Sequence, residues 1–347
     1  MKKMIKFPSI EQFRNIVSNI LRHFNFVGLD ESGEAIYDQT LQKPTITFKG
    51  TVKLHGTNAG VSFNEGGYWV QSRENIITPE KDNAGFAFFV ESKKEVFKKF
   101  VDQINGLSFF NLSKNTVTIY GEWCGGNIQK GVGICNLPKS FFIFGVKVTP
   151  HTNSEEELKE KPAFWIPSHY LSSPDDNIYN IEDFPTFSID IDFNMPQLVQ
   201  NDLSELTLAV EEECPVAKAF GFPNTIGEGI VWSANVNGVV HRFKCKGEKH
   251  SSSKVKTLAT VDVEKLNGIK EFVDYAVTES RFNQALENVF PNGEPIDTKK
   301  LGDVIRWVVN DVIKEEMDTM VENKVEPKEV NKYISSKVRD MFFKQTV

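Results

Sequence analysis

The reading of this chain turns on Lys53-Leu54-His55-Gly56-Thr57-Asn58. The stretch follows the β-type runs Thr45–Phe48 and Thr51–Leu54, which puts Lys53 at a strand end. Gly56 permits a close backbone approach, and Thr57 and Asn58 offer polar contacts. A free lysine amine is almost wholly protonated at neutral pH. It becomes a nucleophile when neighbouring cations or desolvation disfavour its charged form. The plainer reading of a strand-end lysine is a surface charge, so the rest of the chain has to decide between the two.

Four other segments bear on that choice. In Tyr120-Gly121-Glu122-Trp123, a glutamate leaving a β-run beside glycine is able to accept hydrogen bonds from ribose hydroxyls. The glycine-rich run from Gly125 to Gly133 has neither the Walker A form nor a full G-x-G-x-x-G, so it is weak as a phosphate loop. Gly227-Glu228-Gly229-Ile230-Val231 sets a carboxylate between glycines at a strand start, where it is placed to hold a hard divalent cation near phosphates. In Arg242-Phe243-Lys244-Cys245-Lys246, residues two apart share a strand face, so Lys244 and Lys246 point together, roughly 6–7 Å apart. Two such ammonium groups call for an anion between them, and a triphosphate is suitable. From Arg242 to Lys256 the only acid is Glu248, against Arg242, Lys244, Lys246, Lys249, Lys254 and Lys256. Turn glutamates and a solvated basic loop are the bland alternatives. If Lys53 is the nucleophile, the chain carries a nucleotide on its own side chain.

Bulk composition limits the options without choosing among them. The 347 residues suffice for two or three domains with real cores. A formal net charge of -7 gives no global positive field, although nucleic-acid binding needs only a local basic surface. The 28 phenylalanines supply core, with some available to stack on bases. Cys124, Cys135, Cys214 and Cys245 lack C-x-x-C spacing, which argues against zinc and for reduced thiols in a cytosolic protein. Phe7-Pro8-Ser9-Ile10-Glu11 breaks any signal-peptide core, and no apolar run reaches membrane-spanning length.

The pattern along the chain predicts an α+β protein. A helix is expected over 9–24, strands at 68–72, 116–120 and 141–148, and a helix over 85–100. The acidic residues Glu155 to Glu157 and Asp175-Asp176 read as solvated loop or helix ends. Strands resume over 229–234 and 239–246, joined through Asn237-Gly238, a hairpin signal. Beyond about residue 260 three apolar stripes follow, on Phe282 to Phe290, Leu301 to Ile313 and Val330 to Phe342. They predict a separate helical domain. The expected division is 1–258 and 259–347.

Taken in order, KLHGTN, SRENI, YGEW, FFIFGV, EGIV and FKCK resemble the motif series of the covalent nucleotidyl transferases, the polynucleotide ligases and mRNA capping enzymes. The K-x-H-G-T-N form is similar to the RNA-ligase-2 family. The likeness spans about residues 45–256, and the helical tail resembles the small C-terminal domain of phage members. It implies an adenylyltransferase domain of mostly antiparallel sheets with flanking helices. It also implies an ATP-dependent RNA ligase that joins 3′-OH and 5′-phosphate RNA ends, working with Mg2+ or Mn2+. In this resemblance Lys53 takes AMP from ATP, and His55 and Asn58 meet phosphate or the RNA end. Arg73 contacts ribose and phosphate, Glu122 the ribose, and Phe144 stacks on adenine. Glu228 organises metal, and Lys244 and Lys246 neutralise the α-phosphate. The family often has aspartate after the stacking ring, where this chain has Gly145. The resemblance further implies a monomer acting on nicked duplex RNA in repair, in the cytoplasm (the host's, for a phage enzyme). The rival expectations are a DNA ligase or RNA guanylyltransferase, against which His55 and the helical tail stand, and an inactive nucleic-acid-binding homologue.

Overall fold

The polar–apolar alternation ahead of Lys53 folds as one unbroken strand. A computed structural model describes residues 2–82, 84–106, 111–126, 128–152, 157, 160–247, 265–291, 294–322 and 325–345. The chain divides into two compact units, Met1–Gly247 and Glu248–Val347. The expected boundary at 258/259 lies outside the described residues.

The first unit begins with helix α1 (Phe13–Asn25) and the hairpin of β1 (Phe26–Leu29) and β2 (Ala35–Tyr37). Strands β3 (Thr45–Lys53), β4 (Thr57–Asn64), β5 (Gly67–Ser72) and β6 (Ile76–Ile77) precede helices α2 (Phe86–Ser92) and α3 (Lys94–Asn105). Then come β7 (Asn115–Cys124), β8 (Ser140–Pro150), β9 (Phe164–Ile166), β10 (Ile178–Asn180) and β11 (Thr186–Asp192). Helices α4 (Gln200–Glu212) and α5 (Pro215–Ala219) lead to the hairpin of β12 (Gly229–Val236) and β13 (Val239–Lys246).

Two main sheets result. A four-stranded antiparallel sheet has the order β11-β3-β12-β13, and a seven-stranded one has β10-β8-β7-β4-β5-β6 with β9 on β8. The β10–β8 pair is parallel. Phe48, Val52, Ile230, Trp232 and Phe243 point to one face of the smaller sheet, where Ile16 and Ile20 of α1 and Leu203 and Val210 of α4 join them in one core. Val61, Val70, Ile119 and Val146 of the larger sheet pack with Phe86, Val90, Phe97 and Phe100 of α2 and α3 in a second core. Each such buried side chain contributes on the order of 1.5–3 kcal/mol.

Three departures from the sequence pattern have local causes. The two runs read before Lys53 are one strand, because Gly50 lets the Trp232 indole lie across it; a Cβ there would sit 2.9 Å from ring carbons. Helix α1 starts at Phe13 rather than residue 9, because Glu11 is pinned in extended form against β13. Its N–H donates to the Arg242 carbonyl at 3.2 Å, and its carbonyl accepts from the Lys244 N–H at 3.0 Å. Thr57 and Asn58, quoted from the sequence only for their polar contacts, open a strand the pattern did not predict, β4, which pairs with β5 and β7. The Asn237-Gly238 turn forms as expected, with φ of 51° and 86°.

The second unit is helical: α6 (Lys265–Ala276), α7 (Glu279–Val289), α8 (Leu301–Glu322) and α9 (Pro327–Gln345). Phe282 and Ala285, Val304, Val308 and Val312, and Val330, Ile334, Val338 and Phe342 meet in its core. These are the three stripes read from the sequence. Thr278 caps α7 by accepting from the Arg281 N–H at 3.2 Å. The buried Arg281 guanidinium holds Asp311 at 2.9 Å and Glu316 at 3.1 Å. Among the described residues no helix is long and apolar enough to cross a membrane.

Candidate active site

β3 and β4 belong to different sheets, so Leu54-His55-Gly56 is the crossing between them. Gly56 is there because nothing larger fits: a Cβ would lie 2.5 Å from the Trp123 carbonyl oxygen and 2.6 Å from Cys124 Cβ. Its N–H donates to Glu122 Oε1 at 3.0 Å. Gly56→Ala should therefore cost about 1–3 kcal/mol of stability by overpacking. A lowered urea midpoint for unit-one unfolding would show it; an unchanged midpoint would contradict the crowding.

Glu228 is the centre of the charge cluster. Its side chain is 2% exposed. Lys53 Nζ donates to Oε2 at 2.7 Å, and His55 Nδ1 lies 3.4 Å from the same oxygen. Lys246 Nζ lies 3.3 Å from Oε1. Burial alone would raise the carboxyl's pKa, but Lys53, then Lys246 and His55, outweigh it and hold it well below the ordinary 4.5.

Glu122, near enough to feel the Glu228 charge, behaves oppositely. It sits within β7, opposite Asn58 of β4 and Phe142 of β8, rather than in a turn after the strand. Burial pushes its pKa up to about 7; Lys53 pulls it down and the Glu228 charge pushes it up. The folded state thus holds a proton that the unfolded chain releases near 4.5. The stability this lends is full below that pH and is lost as pH rises through 7. Part of the side chain still meets solvent, so the effect is worth at most on the order of 3 kcal/mol. Glu122→Gln should match the wild type in melting temperature at pH 4 and exceed it at pH 8. Parallel pH profiles would refute the raised carboxyl.

Strand register puts the basic residues on one face. Lys53, Gly229 and Lys246 form one row across β3, β12 and β13. Thr51, Val231 and Lys244 form the next, and Lys49, Ser233 and Arg242 the third. Neighbours in a row and residues two apart share a face. Five cations therefore line the face opposite the core, with no acid in these rows, in a chain of net charge -7. Lys244 and Lys246 do point together. Lys249, Lys254 and Lys256 lie outside the described residues.

The remaining expected residues are spread out. Phe144 is the extra residue of a β-bulge, since Tyr120 pairs with Gly145 and Gly121 with Ile143. Such a bulge re-aims a side chain. The Phe144 ring has Phe7 edge-on at 5.0 Å. The face of Gly145 is covered by Trp165, 3.1 Å from where a Cβ would stand. Asn58 lines a cavity of about 360 Å3 together with Thr57, Ser72, Asn75 and Lys81. Arg73 is exposed on the turn after β5, its guanidinium 3.8 Å from Glu74. It is not among the groups that meet at Glu228.

Sequence reading left Phe7, Lys49, Lys147 and Trp165 without a part, and quoted Arg242 only as one charge in a run. For Arg242 the signal was present: it stands two residues before Lys244, as Lys244 stands before Lys246. For the others the contacts join distant segments. Residues 5–11 tie both sheets: Ile5 exchanges hydrogen bonds with the Gln71 amide at 3.1 and 2.6 Å, its carbonyl accepts from Tyr120 Oη at 2.7 Å, and Glu11 pairs with β13.

A lysine, a histidine and a second lysine around one buried carboxylate, with a near-neutral carboxyl alongside, suit chemistry on an anionic phosphorus centre. The protein family described as RNA ligase matches residues 46–246. Among solved structures, Naegleria gruberi RNA ligase with PPi is similar at 18% identity and a TM-score of 0.39, covering 71% of this chain and 57% of that one. Variants of the same ligase with ATP and Mn, and with AMP and Mn, give 16% identity, TM-scores of 0.41 and 0.40, and the same coverage of 71% and 57%. This chain thus spans 57% of the length of those ligases. No curated protein matches it.

Proposed function

The chain belongs to the RNA ligase family, and from that membership we propose an ATP-dependent ligase of the RNA-ligase-2 type that seals 3′-OH and 5′-phosphate RNA ends. The observation that supports it most is the Lys53 amine 2.7 Å from a carboxylate that is 2% exposed, beside His55 and Lys246. In the first step Lys53 Nζ forms a bond to the α-phosphorus of ATP, the bond to pyrophosphate breaks, and the amine's proton is lost. The lone pair that attacks is the one the ammonium lacks, so the Lys53–Glu228 hydrogen bond has to open as the nucleotide enters. Glu122 then takes the ribose hydroxyls, Phe144 the adenine, and Lys244 and Lys246 the α-phosphate. In the second step a 5′-phosphate oxygen of RNA replaces Lys53 on phosphorus. In the third, a 3′-hydroxyl oxygen attacks the RNA 5′-phosphorus and AMP leaves. His55, Asn58 and Arg73 are assigned to the RNA end.

Among the described residues, no group of three His, Cys, Asp or Glu is placed to hold a metal. Glu228, held ionised, would hold a Mg2+ or Mn2+ ion, since magnesium is commonly bound through only one or two protein carboxylates. Such an ion supplies neutralisation of phosphate charge.

The test is sealing of matched nicked RNA, RNA/DNA hybrid and DNA duplexes and of single-stranded RNA, with labelled ATP and GTP in parallel. Sealing of 3′-OH RNA nicks with ATP is expected. Labelling by GTP alone, or a preference for all-DNA nicks, would overturn the reading. The helical unit is assigned to grip the nicked duplex. A chain ending near residue 258 should keep self-adenylation and lose at least about tenfold in nick sealing; equal sealing would refute that role.

A further inference from the structure

The third row of the four-stranded sheet takes no part in the chemistry above. Its Arg242 guanidinium lies 4.0 Å from the Trp165 ring centroid and 5.3 Å from that of Phe7. Lys147, on β8, brings its ammonium to 5.6 Å from the same indole. Trp165 belongs to β9 of the larger sheet, so a cation from each sheet meets at one ring.

A cation on an aromatic face gains roughly 0.5–2 kcal/mol. That does not cancel charge, and here two like charges share one ring. Among the described residues neither side chain has a carboxylate partner or a hydrogen bond. Burial pulls the guanidinium down to about 10, and burial followed by Arg242 lowers the Lys147 amine. None of their nitrogens is sealed from solvent, so the donors stay within a ligand's reach. Along β13 the same face continues from Arg242 to Lys244 and Lys246, Arg242 standing about 13 Å from Lys246. A planar guanidinium fork matches phosphate oxygens two at a time, and an ammonium serves phosphate as a point charge.

We propose that Arg242 and Lys147, held around Trp165, form a second phosphate subsite where the two sheets meet, distinct from the one at Lys53. The phosphate belongs either to the nucleotide's β,γ end or to an RNA strand. That choice of sources rests on the ligase reading; the subsite itself does not.

The test titrates the full-length chain, Arg242→Gln and Lys147→Gln with inorganic pyrophosphate and, separately, with a 5′-phosphorylated oligoribonucleotide, by calorimetry at low salt. Melting temperatures are taken alongside. Each variant is expected to bind at least one ligand about tenfold or more weakly, with a melting temperature within a few degrees of wild type. A loss confined to pyrophosphate assigns the nucleotide's phosphates, and one confined to the oligonucleotide assigns the strand. Affinities within twofold of wild type for both ligands would overturn the subsite. If Arg242→Gln fails to fold, Lys147→Gln decides by the same criterion. Because no turnover is read, a chain that binds yet never takes up AMP would sink the ligase reading and leave the subsite standing.

Discussion

Lys53→Ala is expected to abolish self-adenylation. After pyrophosphate has stripped any AMP already carried, wild-type chain given Mg2+ and α-labelled ATP should take up label through an acid-labile bond, and the variant should take up none. The fall should be roughly a thousandfold or more, since deleting a covalent nucleophile removes the step itself. Alanine also strips a cation from a carboxylate that is 2% exposed, so misfolding could mimic the result. Lys53→Arg separates the two causes. A guanidinium keeps the charge beside Glu228 but is not deprotonated in proteins, so it offers no lone pair. This variant should melt close to wild type and remain unlabelled. Labelling of either variant at wild-type level would place the nucleophile elsewhere.

Glu228→Ala should be the most destabilising single change at the site. The carboxylate accepts from Lys53 and lies within ion-pair distance of Lys246 and His55. Removing it leaves crowded cations uncompensated, at a cost of about 3–5 kcal/mol, and adenylation should fall at least about a hundredfold. The pH dependence gives an independent check. Because the folded carboxyl is held well below 4.5, its contribution is present above that pH and is lost as pH falls through the folded value. Glu228→Gln should therefore be less stable than wild type at pH 7, and the gap should narrow in acid. A constant gap from pH 7 to pH 3 would show that the ion cluster contributes no stability.

These two carboxylates show how far residue patterns reach. Both were picked out beside glycines, and both lie at the candidate site. Their opposite pKa shifts were not legible, because each depends on what stands within a few ångströms. Glu228 has two lysines and a histidine; Glu122 has one backbone N–H, more distant cations and the Glu228 charge itself. The fold shows the same division. The α8 and α9 stripes follow from a period of 3.6 residues, and β13 runs over the residues expected from alternation. β4 was missed because Gly56-Thr57-Asn58 carries turn residues; only pairing with β5 and β7 makes a strand of it.

The sequence by itself determined the α+β character, the helical tail, the hairpin at Asn237-Gly238 and the shared face of Lys244 and Lys246. Each of these follows from a backbone period or a turn preference spanning a few residues. Only the tertiary structure decided that Lys53 touches a carboxylate 175 residues away, that Phe144 stands on a bulge, and that Arg242 shares an indole with Lys147. The reason is physical: charge and ring contacts act over a few ångströms, and strand register and the crossing from one sheet to the other set those distances.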